Sequence, residues 1–86
     1  MDINRLIVNI KKKIVSNILI ENIKIEDKSF LHKNHSGNQL GKYHLKITIS
    51  SNELKMMHKI DSNKKIYKIL DEEMKNFIHS LQILIN

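Results

Sequence analysis

Tyr43-His44-Leu45-Lys46-Ile47-Thr48-Ile49-Ser50 is the stretch on which the fold turns. Leu45, Ile47 and Ile49 alternate with His44, Lys46 and Thr48, the two-residue period of a strand with one face buried. Upstream, Ile20-Glu21-Asn22-Ile23-Lys24-Ile25-Glu26 repeats the pattern through Ile23 and Ile25. The two runs are close in sequence, so an antiparallel pair joined by a polar loop from Asp27 to Lys42 is the simplest topology. A sheet apolar on one face needs helices to cover it. Ile3, Leu6, Ile7, Ile10, Ile14 and Val15 recur at helical spacing and predict a helix over residues 3–17, with Asp2 as its N-cap. Isoleucine has modest helix propensity, so packing must hold this helix.

Downstream, residues 51–60 read as a turn or a short helical piece carrying Leu54, Met56 and Met57. Asp61 or Ser62 then caps a second helix with Ile66, Ile69, Leu70 and Met74 on its buried side and Asn76 as its stop. Phe77 to Ile85 closes as a third strand, in which His79, Leu81, Ile83 and Ile85 share the inward parity. The predicted order is α-β-β-α-β: an α+β fold with a three-stranded mixed sheet and helices on one face. Residues 1–86 form one domain, since a chain of this length buries a single thin core.

Composition narrows the function classes. The absence of cysteine rules out disulfides, thiolate metal sites and cysteine nucleophiles. No apolar run reaches the length of a membrane span, and the polar, basic start does not read as a signal peptide. The net charge of +6 points towards anionic partners. Yet lysine, isoleucine and asparagine fill nearly half of the chain, all three from A/T-rich codons, and Arg5 is the only arginine. The usual residue for bidentate phosphate and base recognition is therefore nearly missing.

Five histidines, at 32, 35, 44, 58 and 79, are the imidazoles available to a metal. His32 and His35 lie in the loop that also holds Gly37 and Gly41. His44 falls on the outer face of its strand, where a surface histidine is the default, and His79 on the inward parity, where a hydrogen-bonded core or sheet-edge residue is. Two histidines three apart are short of a protein zinc site, which wants three or four ligands. No serine has a nucleophile-elbow context, no glycine-rich phosphate loop exists, and Glu72 and Glu73 are adjacent on a helix and point apart. The reading is not an enzyme.

Lys64, Lys65 and Lys68, with Lys59 upstream, form a basic stripe at the entry to the second helix. Such a stripe neutralises phosphates or is simply a solvated face. Phe30, Tyr43, Tyr67 and Phe77 are too few for a base-stacking platform. The element order is similar to that of RNA-binding KH-type domains, but no Gly-X-X-Gly clamp lies between two helices.

The motifs taken together resemble the BolA family. Ile25-Glu26-Asp27-Lys28-Ser29-Phe30-Leu31-His32, then His35-Ser36-Gly37, then Tyr43-His44-Leu45-Lys46-Ile47 resemble that family's strand ending in Asp-x-Ser, its His/Gly-rich loop and its second strand opening Thr-His-Phe. Ile66-Tyr67-Lys68-Ile69-Leu70-Asp71-Glu72-Glu73-Met74 is similar to its second helix, and Ile78-His79-Ser80-Leu81-Gln82-Ile83 to its closing Ile-His-Ala-Leu strand. The resemblance implies a KH-like fold without catalytic activity, monomeric alone and cytoplasmic. It implies a monothiol glutaredoxin as partner, sharing a [2Fe–2S] cluster for iron–sulfur assembly or iron signalling. A DNA-binding regulator is the alternative that it implies, with Lys59, Lys64, Lys65 and Lys68 as contacts.

The resemblance also assigns ligands. A loop histidine maps onto His32, with His35 as its neighbour, and a second histidine belongs to an Arg-His-Arg motif that aligns with Ser62, Asn63 and Lys64. Asn63 thus stands at the family's histidine position, and a neutral carboxamide is a poor iron ligand. On this reading, Asn63→His would strengthen the cluster. His58 lies five residues upstream, about 7.5 Å along a helix axis, so it replaces Asn63 only if the stretch is a loop. Met56 stands where the family has a glycine, and the chain ends at Asn86 without the family's terminal helix.

Overall fold

A computed structural model describes residues 2–29 and 42–86. The elements are α1 (Ile3–Asn17), β1 (Asn22–Asp27), β2 (Tyr43–Ser50), α2 (Asn52–Lys55), α3 (Lys59–Ile69), α4 (Asp71–Asn76) and β3 (Ile78–Ile85). The sheet order is β1-β2-β3, with β1 antiparallel and β3 parallel to β2. This is the mixed three-stranded sheet read from the sequence. A parallel neighbour for β2 requires a crossover, and α2 to α4 provide it.

The alternation in β2 does what its period requires. Leu45, Ile47 and Ile49 are buried, and Ile25 and Ile23 lie opposite Ile47 and Ile49 across the β1 ladder. On the β3 side, Leu81, Ile83 and Ile85 pair in register with the same three residues. Helices cover this face. Leu6, Ile10 and Ile14 of α1, Leu54 of α2 and Ile66 of α3 are each essentially inaccessible and join one core cluster with β2. Each such side chain contributes about 1.5–3 kcal/mol of apolar burial. Asp2 caps α1 as expected, its carboxylate accepting from the Arg5 amide at 2.9 Å. Val15, counted on the apolar face, is instead 56% exposed.

Three other expectations change, and the alternative left open over residues 51–60 resolves to a short helix. β1 starts at Asn22 rather than Ile20 and extends through Asp27. The ambiguous stretch contains α2, capped by Ser51, whose hydroxyl accepts from the Leu54 amide and donates to the Leu19 carbonyl. α3 starts at Lys59, with His58 in the N-cap position, rather than after Asp61 or Ser62. Ser62 is buried instead, and its hydroxyl donates to the Lys59 carbonyl at 2.9 Å. Finally, the second helix is two helices. Leu70 is fully buried with φ −99° and ψ 19°, and this turn sends α4 off so that Glu73 faces Lys13.

The contact between Lys13 and Glu73 ties α1 to α4, with Nζ 2.7 Å from Oε2. Hydrogen bonding to Glu73, which outweighs the cost of burial, raises the Lys13 pKa above its ordinary 10.5. Glu53 performs a similar role between α2 and its surroundings, accepting from the Lys65 ammonium at 2.8 Å and from the Leu19 amide at 3.2 Å. Those two bonds, with Lys65 the larger influence, hold its carboxyl below 4.5.

Candidate functional site

The face of the sheet away from the helices is built from the other parity. His44, Lys46 and Thr48 of β2 pair with Ser80, Gln82 and Leu84 of β3, and with Glu26 and Lys24 of β1 in the case of Lys46 and Thr48. At one end of this face the chain leaves the sheet after Ser29 and returns at Lys42. The Asp27-Lys28-Ser29 motif shapes that exit. The Asp27 carboxylate accepts from the Ser29 amide at 2.9 Å, and the Ser29 hydroxyl accepts from the His44 amide at 3.0 Å. The Lys28 amide donates to the His44 carbonyl at 2.7 Å. An Asp-x-Ser sequence therefore reads physically as a clamp on the backbone of His44.

His44 and His79 meet at this end. Tyr43 pairs with Ile78 but His44 pairs with Ser80, so His79 is the extra residue of a β-bulge. The bulge resets the parity of β3. Ile78 is buried and Leu81 returns to the core side, whereas His79 is exposed. The inward placement expected of His79 is thereby overturned, because a strict two-residue period fails across a bulge. His44 departs from expectation in the opposite sense. It lies on the outer parity yet is only 6% exposed. Its Nδ1 lies 2.7 Å from the Ser80 hydroxyl oxygen, and its ring packs edge-on to His79 with centroids 4.7 Å apart. An open recess of about 380 Å³ beside them is lined in part by Lys28, His44, Lys46 and Ser80.

The charge here is mainly positive. Glu26 sits 3.5 Å from Lys24 and 3.6 Å from Lys28. Its burial opposes ionisation, but those two lysines together prevail and hold its carboxyl below 4.5. The Glu26 carboxylate is thus set among Lys24, Lys28 and Lys46.

Asn63 is elsewhere. It lies within α3 and lines a groove with Ile83, Leu84 and Ile85, at the far end of β3 from His79. Five residue steps along the strand lead from His79 to Leu84, roughly 16 Å. His58 caps the same helix, so the helical offset of about 7.5 Å applies and His58 does not replace Asn63. His32 and His35 lie outside the described residues. Lys64, Lys65 and Lys68 fall within about 100° of one another on α3, but Lys59 does not join them. On a helix Lys59 is roughly 140° from Lys64 and 180° from Lys68. Lys65 is paired with Glu53. Lys64 and Lys68 are exposed, with no carboxylate partner among the described residues.

Comparison with known proteins agrees with this geometry. The profile of the BolA-like protein family matches residues 14–86. The chain belongs to the BolA family. A curated relative, the DNA-binding transcriptional regulator BolA of Haemophilus influenzae, is 31% identical over 74 residues, covering 86% of this chain and 69% of the relative. Among solved structures, the BolA domain of SufE1 from Arabidopsis thaliana superposes with a TM-score of 0.76 at 24% identity, covering 92% of this chain and 87% of that one. BolA1 from the same plant gives 0.75 at 23%, with the same coverage of both chains. The two plant structures show the fold.

The BolA site can now be tested against a cluster ligand set. Among the described residues no group of three or more His, Cys, Asp or Glu side chains could hold a metal ion. A cluster shared between two chains asks fewer ligands of each, and imidazole is an established cluster ligand. His79, exposed and oriented by its contact with His44, fits that role. Asn63 does not, by its chemistry and by its distance from the exit at Ser29. The sequence signal that could have found His79 is Ile78, an apolar residue three positions before Leu81 and so off the two-residue period of Leu81, Ile83 and Ile85.

Proposed function

We propose that this BolA-family chain is a non-enzymatic adaptor that binds a monothiol glutaredoxin and shares a [2Fe–2S] cluster with it. The observation that carries the reading is the exposed His79 braced by buried His44 at the end of the sheet where the chain bearing His32 and His35 departs. His79 and His32, with His35 as the alternative to His32, are this chain's ligands in the proposal. The cluster would supply one-electron chemistry or be passed on as cargo. The chain's own residues do the rest. Ser80 and the Asp27–Ser29 clamp fix His44, and His44 in turn limits the ring positions open to His79.

The test is to mix the protein with a glutaredoxin homodimer carrying its cluster. A changed visible circular dichroism spectrum and a heterodimer by native mass spectrometry are expected, and His79→Ala removes the spectral change. An unchanged spectrum with no complex at micromolar concentration would remove this reading. On this reading Asn63 is not a ligand position, and Asn63→His leaves the spectrum as it is.

DNA binding is a second reading, supported by the name of the Haemophilus relative and by exposed Lys64 and Lys68. Affinity for a duplex then falls with salt by a log–log slope of about −0.9 per phosphate contact. Replacing both lysines with glutamate reduces that slope. Equal binding by parent and double variant would leave DNA without its proposed contacts.

A further inference from the structure

Among the described residues β3 is an edge strand, and its outer side is only half covered. The Asn86 amide donates to the Ile49 carbonyl at 2.8 Å, so alternate residues Leu84 and Asn86 address β2 and Leu81, Ile83 and Ile85 address the open side. α3 runs alongside. Tyr67 reaches the edge and its hydroxyl donates to the Leu81 carbonyl at 3.0 Å. One turn earlier on the same helix face stands Asn63, which makes no such bond. Its Oδ1 is buried without a hydrogen-bond partner among the described residues. Between Asn63 and Ile83–Ile85 lies a groove of about 290 Å³, floored by Leu54 and flanked by Lys55 and Lys59.

An uncharged edge strand with free backbone groups is a template for strand addition. β3 contains no charged residue, no proline and no glycine, and both its bulge at His79 and the Tyr67 contact at Leu81 lie away from Ile83–Ile85. We infer that the Ile83–Ile85 edge is a docking site for an extended, acidic segment of a partner protein, which adds as a strand and donates an amide to Asn63 Oδ1 as that side chain turns out of its buried position. Backbone bonds at two-residue spacing supply the affinity, as in other strand-addition modes. Lys55 and Lys59 have no carboxylate partner among the described residues, and they select acidic side chains on the incoming segment. A second copy is a poor occupant, since it brings the same lysines and the same +6 charge to the contact. A nucleic acid is also a poorer fit, because the groove walls are largely aliphatic and offer no aromatic ring for stacking. The inference rests on the fold and stands apart from the histidine end of the sheet.

The experiment uses the full chain labelled with nitrogen-15 and the blocked pentapeptide Glu-Val-Ile-Val-Glu. Saturable shifts at the Ile83 and Ile85 amides and the Asn63 side-chain amide are expected, with slowed hydrogen exchange at both backbone sites. Asn63→Ala weakens binding by roughly fivefold to tenfold, the range for one hydrogen bond. Lys59→Glu weakens the acidic peptide and strengthens its lysine counterpart, Lys-Val-Ile-Val-Lys. Four results would overturn the proposal: shifts absent or confined to the His79 end; equal affinity for a peptide methylated at alternate backbone nitrogens; tighter binding of oligothymidine at the same resonances; or self-association that protects the same amides without peptide.

Discussion

The His44 Nδ1 and the Ser80 hydroxyl oxygen lie 2.7 Å apart on the open face of the sheet, and this bond joins β2 to β3 beside the bulge. It makes His44 a structural residue and leaves His79, its ring neighbour, free of structural duty.

The two histidines should therefore respond differently to alanine. His44→Ala removes a nearly buried ring and its bond to Ser80, and should cost about 1–3 kcal/mol. His79→Ala should stay within about 0.5 kcal/mol of the parent, as exposed substitutions do. Urea denaturation followed by circular dichroism measures both. An equal loss in the two variants would contradict the division of roles.

The Lys13–Glu73 pair should appear at high pH. Because folding raises the Lys13 pKa, its contribution is fully present below the ordinary 10.5 and is lost as pH rises through the higher folded value. Thermal midpoints of the parent should fall more steeply above about pH 10.5 than those of Lys13→Met. At neutral pH, Lys13→Met should itself cost about 1 kcal/mol, because it leaves the Glu73 carboxylate nearly buried without its cation.

Glu53 predicts the acid limb. Its folded pKa is lowered by Lys65 and the Leu19 amide, so its contribution is present above 4.5 and disappears as pH falls through the lower folded value. Glu53→Gln should lose less stability than the parent between about pH 6 and pH 3. Parallel curves for the two proteins would show that the Lys65 contact has no energetic weight.

The core prediction concerns Ile47, inaccessible at the centre of β2. Ile47→Ala should cost about 2–5 kcal/mol, a large share of the total stability of so small a domain. Ile47→Val should cost only about 0.5–1.5 kcal/mol. Chemical denaturation of the two variants tests whether the site relaxes around the smaller side chain.

Much of the fold was legible because its periods are local. α1 and β2 need only their own alternation to declare which face is buried, and both were placed to within a residue. The second helix was legible as helix but not as two helices. Its break depends on Leu70 remaining in the core while Glu73 turns to Lys13, a partner sixty residues away. The site was less legible still. Asn63 drew attention through a motif, but its neighbours are set by where α3 crosses the end of β3.

What the amino-acid order determined was which residues could share a face: Leu45 with Ile47 and Ile49, and Leu6 with Ile10 and Ile14. It also determined the available chemistry, with imidazole and no thiol. What the tertiary structure alone decided was which of those groups meet. One extra residue in β3 turned His79 outward against His44, and the path of α3 left Asn63 facing the Ile83–Ile85 groove. The reason is physical. Side-chain periodicity is a property of one segment, whereas a bulge and a crossover are settled by the pairing of segments distant in sequence, through hydrogen bonds that no single segment encodes.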